Sequence, residues 1–75
     1  MLNLTQLRSF LILAEELNFR KAAQRLYLSQ PALSKQIKSL EELLETDLFL
    51  RDKGQVTLTT AGFAILALRG IQLSP

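Results

Sequence analysis

The chain has 75 residues, 48% of them hydrophobic, which is enough to close one small core and too little to house a second domain. It contains no cysteine and no histidine, so disulfides, thiolate nucleophiles, soft metal ligands and an imidazole base are all excluded, and no metal or cofactor is expected. The net charge is only +2, but Arg20, Lys21, Arg25, Lys35 and Lys38 share an acid-free stretch from Leu17 to Leu40, followed at once by Glu41, Glu42, Glu45 and Asp47.

Such segregation is the footprint of a phosphate-contacting face, although charge alone fits a solvated surface without a partner equally well. The longest apolar run, Phe63 to Leu68, is far shorter than the roughly 20 residues of a membrane helix, and Met1 to Leu4 lacks the basic start of a signal peptide. A cytoplasmic chain with no membrane partner is expected.

Taken in order, Asn3 and Gln6 stand three apart in a capping-box pattern, and Leu4, Leu7, Phe10, Leu11, Ala14 and Leu17 keep helical spacing. A first helix over Leu4 to Glu16 follows, with Ile12 expected on its charged, outer side beside Arg8 and Glu15. Asn18 caps a short second helix from Phe19 to Leu26 whose inward residues are Phe19, Ala22, Ala23 and Leu26. Two adjacent alanines allow another helix to cross closely, as the first helix of a helix-turn-helix requires. Tyr27 and Leu28 form the turn. Ser29 caps a third helix that takes Pro31 in its first turn, where the missing N–H costs no intrahelical bond.

On a wheel, Leu33, Ile37, Leu40 and Leu44 of this third helix fall in one arc, and Pro31, Ser34, Lys35 and Lys38 lie opposite. Short polar side chains with two lysines suit base edges and phosphates better than an apolar neighbour. Leu48-Phe49-Leu50-Arg51 and Val56-Thr57-Leu58 then read as strands around the turn Asp52-Lys53-Gly54-Gln55. In this hairpin Lys53 is placed to reach a backbone or minor groove, while Phe49, Val56 and Leu58 cover the core edge. Thr59 caps a last helix whose apolar residues lie on every side, so Phe63, Ile65, Leu66 and Leu68 are candidate dimer contacts. Gly62 within it points to a close backbone approach, and Gly70 and Pro75 mark where helicity is expected to fade.

From Leu4 to Gly62 the chain resembles the LysR-type transcriptional regulators. The resemblance rests on the run from Phe19-Arg20-Lys21-Ala22-Ala23 through Ser29-Gln30-Pro31-Ala32-Leu33-Ser34-Lys35-Gln36-Ile37 to Glu41, with support from Leu4 to Phe10, Leu48-Phe49-Leu50-Arg51 and Leu58-Thr59-Thr60-Ala61-Gly62. It implies that Gln30, Pro31, Ser34 and Lys35 meet base edges or adjacent phosphates, that Lys38 and Arg20 contact the backbone, and that the final helix is a dimerising linker. Two departures stand out: Gly54 and Thr57 occupy wing positions often basic in the family, so minor-groove contact rests on Lys53. Family members also continue into an effector-sensing domain, which this chain, ending at Pro75, lacks, as either a fragment or a short natural product.

The expected fold is mainly α with a small β-hairpin: a winged helix-turn-helix over residues 1–58, then the start of a linker helix over residues 59–75. The expected function is sequence-specific binding of a double-stranded DNA operator by a homodimer or higher oligomer, with the helix at residues 29–45 in the major groove, to regulate bacterial transcription. A small-molecule inducer is expected only where an effector domain is attached. The alternative is a protein-interaction module without DNA specificity of its own. Catalysis is not expected, because only carboxylates and lysines are left to perform it, and Glu41, Glu42 and Glu45 read as a solvated helix end.

Overall fold

A computed structural model describes the backbone of residues 3–73 and the side chains of residues 3–68. It contains α1 (Leu4–Glu16), α2 (Phe19–Leu26), α3 (Gln30–Leu44), β1 (Phe49–Asp52), β2 (Gln55–Leu58) and α4 (Thr60–Leu73). This is the winged helix-turn-helix the sequence predicts, mostly helical with one antiparallel hairpin. Each helix begins at a side chain that accepts a hydrogen bond from an otherwise unpaired backbone N–H. Asn3 accepts from the Gln6 N–H at 2.8 Å while Gln6 Oε1 accepts from the Asn3 N–H, completing the capping box. Asn18 accepts from Lys21 N at 2.9 Å, Ser29 from Ala32 N at 3.2 Å and Thr59 from Gly62 N at 3.1 Å.

The first three helices pack around Phe10, Leu13, Ala14, Ala22, Ala23, Leu33, Ile37 and Leu40, and the hairpin closes this core with Leu48 and Phe49. The Phe10 and Phe49 rings meet at 5.5 Å, tilted by 50°, a favourable aromatic geometry. Ala22 and Ala23, the small side chains expected at the helix crossing, are both buried in this core.

The apolar arc of α3 reads as core along its length, but Leu44 at its end is exposed, as are Leu4 and Leu17 at the ends of α1, because each lies at a helix end beyond the reach of the neighbouring helix. The buried arc of α1 is instead rotated toward Ser9 and Leu13, since α1 packs against α2 and α3 together. The same rotation leaves Ile12 half-buried against the core rather than on an outer face. Ser9, only 1% exposed, donates to Gln36 Oε1 of α3, and Gln6 Nε2 donates to Ser39 Oγ at 3.2 Å. A polar seam therefore sets the register of α3 on α1 beside the apolar core.

The hairpin pairs Phe49 with Leu58, Leu50 with Thr57, Arg51 with Val56 and Asp52 with Gln55. Its turn is the two-residue Lys53-Gly54, with φ +53° and +79°, the left-handed pair of a type I′ turn. The turn is thus tighter than the four residues read from the sequence. At the base of the hairpin, Glu41 Oε2 accepts from Leu48 N at 2.7 Å and Phe49 N at 3.1 Å. Glu41 is therefore a tether between α3 and the wing, not part of a solvated helix end.

α4 starts where Thr59 N donates to Leu48 O and Thr59 Oγ1 donates to Asp47 O. A Cβ on Gly62 would lie 2.5 Å from Leu48 O and 2.7 Å from Leu58 Cδ2, so the close approach expected at this glycine is real. The helix runs through Gly70 to Leu73, past the point where Gly70 was expected to weaken it, and Pro75 lies outside the described residues. Among the described residues no helix is long and apolar enough to cross a membrane.

Candidate nucleic-acid interface

α3 is amphipathic by construction. Leu33, Ile37 and Leu40 are buried, which turns Gln30, Pro31, Lys35 and Lys38 outward, all four exposed, with Ser34 half-buried between them. Pro31 and the Ser29 cap hold the first turn of this helix at the surface. The sequence-predicted face is therefore present as one surface.

A groove of about 490 Å³ runs along the start of α3 and brings several of these residues together. One wall carries Gln30, Pro31 and Ser34; the end is formed by Asn18, Phe19 and Arg20 at the start of α2; the far wall is the wing, through Arg51, Gly54, Gln55 and Val56. The N-termini of both α2 and α3 open on it, so helix dipoles add a positive field to that of the two arginines. Lys38 lies on the next hollow along α3, shared with Ser34, Phe49 and Arg51. Lys35 is exposed outside both hollows, and Lys53 is exposed at the wing tip with Gly54 and Gln55, rather than Lys53, lining the groove.

Arg51 is the residue the sequence reading passed over. It sits with its guanidinium carbon 3.9 Å from the centre of the Phe19 ring, and its Nη2 donates to Ser34 Oγ at 2.9 Å. Stacking of this kind at an exposed site contributes about 0.5–1 kcal/mol. A signal for it existed: strand residues two apart share a face, so placing Phe49 inward also directs Arg51 toward the helices. Arg25, by contrast, leaves the candidate set of phosphate contacts. Its guanidinium donates to Glu15 at 2.8 Å and Glu16 at 2.9 Å, and these carboxylates, Glu15 foremost, hold its pKa above the ordinary arginine value.

The residues offered for pairing fall into two groups. Phe63 and Leu68 are 60% and 63% exposed. Ile65 and Leu66 are half-buried against the chain's own core, so among the described side chains of α4 the large apolar ones left exposed are the first pair. Among the described residues no cluster of His, Cys, Asp and Glu is arranged to hold a metal. What the groove and the α3 face do chemically is donate and accept hydrogen bonds and present positive charge.

Comparison with known proteins gives a consistent match. Residues 4–63 fit the model of the lysR family of bacterial regulatory helix-turn-helix proteins. The chain is 55% identical over 60 residues to the transcriptional regulator XapR of Escherichia coli strain K12, covering 80% of this chain and 20% of XapR. It is 46% identical over 65 residues to the regulator YkuM of Bacillus subtilis strain 168, covering 87% of this chain and 22% of YkuM. It therefore spans about a fifth of the length of these relatives. Among solved structures, the CbnR DNA-binding domain in complex with DNA superposes with a TM-score of 0.84 at 37% identity, covering 97% of this chain and 86% of that one.

Proposed function

Because the chain belongs to the lysR family of bacterial regulatory helix-turn-helix proteins, we propose that it binds double-stranded operator DNA sequence-specifically and regulates transcription in the bacterial cytoplasm. The observation that carries this reading is the shared surface of α3 and the wing. Gln30, Pro31 and Ser34 line one wall of the groove and Arg20 its end, while Lys35 and Lys38 extend the same helix face. The likeness to the CbnR DNA-binding domain, solved on DNA, supports it.

In this reading the exposed face of α3 enters the major groove, where Gln30 pairs with adenine, Lys35 donates to guanine acceptors, and Pro31 and Ser34 are short enough to let the helix sit deep. Arg20 and Lys38 grip phosphates, and Lys53 reaches the backbone or minor groove beyond the wing turn. Residues 1–58 form the reading unit, and residues 59–75 begin the helix that pairs two copies through Phe63 and Leu68, flanked by Ile65 and Leu66. Two copies related by a two-fold axis read a two-fold symmetric site. The test is selection of bound sites from random duplexes by the purified chain. A two-fold symmetric sequence is expected; an unenriched pool together with stable self-association would make the chain a pairing module instead.

A further inference from the structure

Resting on that reading, we propose that Arg51 is a specificity-determining positioning residue: from its seat on the Phe19 ring it donates to the Ser34 hydroxyl and so presents that hydroxyl to the major groove as a hydrogen-bond donor. A guanidinium has donors only. The 2.9 Å contact from Arg51 Nη2 therefore occupies a lone pair of Ser34 Oγ and cannot receive the serine proton. That proton is left for another acceptor, and among the described residues Ser34 Oγ donates to none. The adjacent positive charge polarises the O–H bond and strengthens it as a donor.

Geometry makes this arrangement persistent. Arg51 projects from β1 on the same face as Phe49, which is buried in the core, and the Phe19 ring 3.9 Å beneath the guanidinium limits where the fork can turn. Phe19 belongs to α2, Ser34 to α3 and Arg51 to the wing, so one side chain joins all three elements of the interface. Lysine cannot reproduce this, because it lacks the planar fork that stacks and donates together.

The chemical consequence is a base preference. Guanine N7 and O6, adenine N7 and thymine O4 accept a hydrogen bond in the major groove, whereas cytosine offers the N4 amino donor. One lone pair of Ser34 Oγ is still open beside the Arg51 contact, but an amino donor approaching it meets the positive charge of the guanidinium stacked alongside, so opposite Ser34 cytosine is the disfavoured base. Without Arg51 in that seat the oxygen accepts unopposed, and cytosine becomes tolerated.

The experiment measures binding of the wild-type chain, Arg51→Lys, Arg51→Gln, Ser34→Ala and the Ser34→Ala/Arg51→Gln double variant to every single-base change of the wild-type selected site. It is run at several salt concentrations, with folding checked by circular dichroism. Both arginine variants are expected to lose about fivefold or more of the discrimination against cytosine at one symmetric pair of positions, the lower end of a single base contact. Ser34→Ala should lose the same discrimination, the double variant no more than either single change at that position, and Arg51→Lys should keep the wild-type salt slope. Wild-type base preferences in Arg51→Lys would overturn the proposal, because charge alone would then suffice. So would an even loss across all positions in Arg51→Gln with the salt slope reduced by about one per subunit, the behaviour of a phosphate grip. Should the arginine variants unfold, Ser34→Ala decides: cytosine discrimination that survives it overturns the proposal. A wild-type chain that selects no site removes the underlying reading and this inference with it.

Discussion

Gly62 is the point where the last helix is pinned to the base of the wing, and replacing it by alanine sets two calculable effects against each other. In an unhindered helix interior, glycine to alanine stabilises by about 1 kcal/mol, through helix propensity and a less flexible unfolded chain. Here the added Cβ would lie 2.5 Å from the backbone oxygen of Leu48 and 2.7 Å from Leu58 Cδ2. The oxygen also accepts from Thr59 N at 3.0 Å, so it cannot withdraw without loosening the start of α4. Overpacking of this kind costs about 1–3 kcal/mol, more where backbone must move. With the rigid oxygen at the upper end of that range, Gly62→Ala is expected to be destabilised by about 1–2 kcal/mol net, or roughly 4–16 °C in Tm for a domain of this size. Thermal and urea unfolding followed by far-ultraviolet circular dichroism measure it. A variant as stable as the parent, or more so, would refute the close approach.

Four further outcomes follow from the same contacts. Glu41→Ala leaves the Leu48 and Phe49 N–H groups without their carboxylate and should cost about 2–3 kcal/mol in urea unfolding, whereas Glu41→Gln, which keeps an acceptor, should lose about half of that. Ser9→Ala removes the buried partner of Gln36 and should cost about 1–3 kcal/mol in the same assay. Lys38→Ala should reduce the slope of log affinity against log salt by about one per subunit while leaving the ranking of DNA sites intact. Phe63→Glu combined with Leu68→Glu charges the two large apolar side chains exposed among the described residues of α4 and should shift sedimentation from dimer to monomer without lowering the helix content.

The helices were legible in the sequence because their starts are local events. Asn3, Asn18, Ser29 and Thr59 each hydrogen-bond a backbone N–H three residues ahead, a pattern that needs no tertiary context. The exposed face of α3 was legible for the same reason, once Leu33 and Ile37 fixed the opposite side. What escaped depends on contacts distant in the chain. Ser9 is buried because Gln36, 27 residues away, supplies its partner. Arg51 reaches Ser34 across 17 residues, and helical periodicity carries no information about it. Leu44 shows the converse error: a place on the apolar arc at a helix end, with no neighbour there to cover it.

The central claim is that the outer face of α3 reads bases rather than merely gripping the backbone, and it is tested most directly on Gln30 and Lys35. Both are exposed at the start of a helix whose other side is committed to the core by Leu33 and Ile37. Gln30→Ala and Lys35→Ala are competed against every single-base variant of the selected site at fixed salt. Each is expected to relax preference at one or two symmetric positions by about 1–3 kcal/mol, the worth of one good base contact. Equal loss of affinity for all variants in both cases would contradict the account and assign sequence recognition to DNA shape.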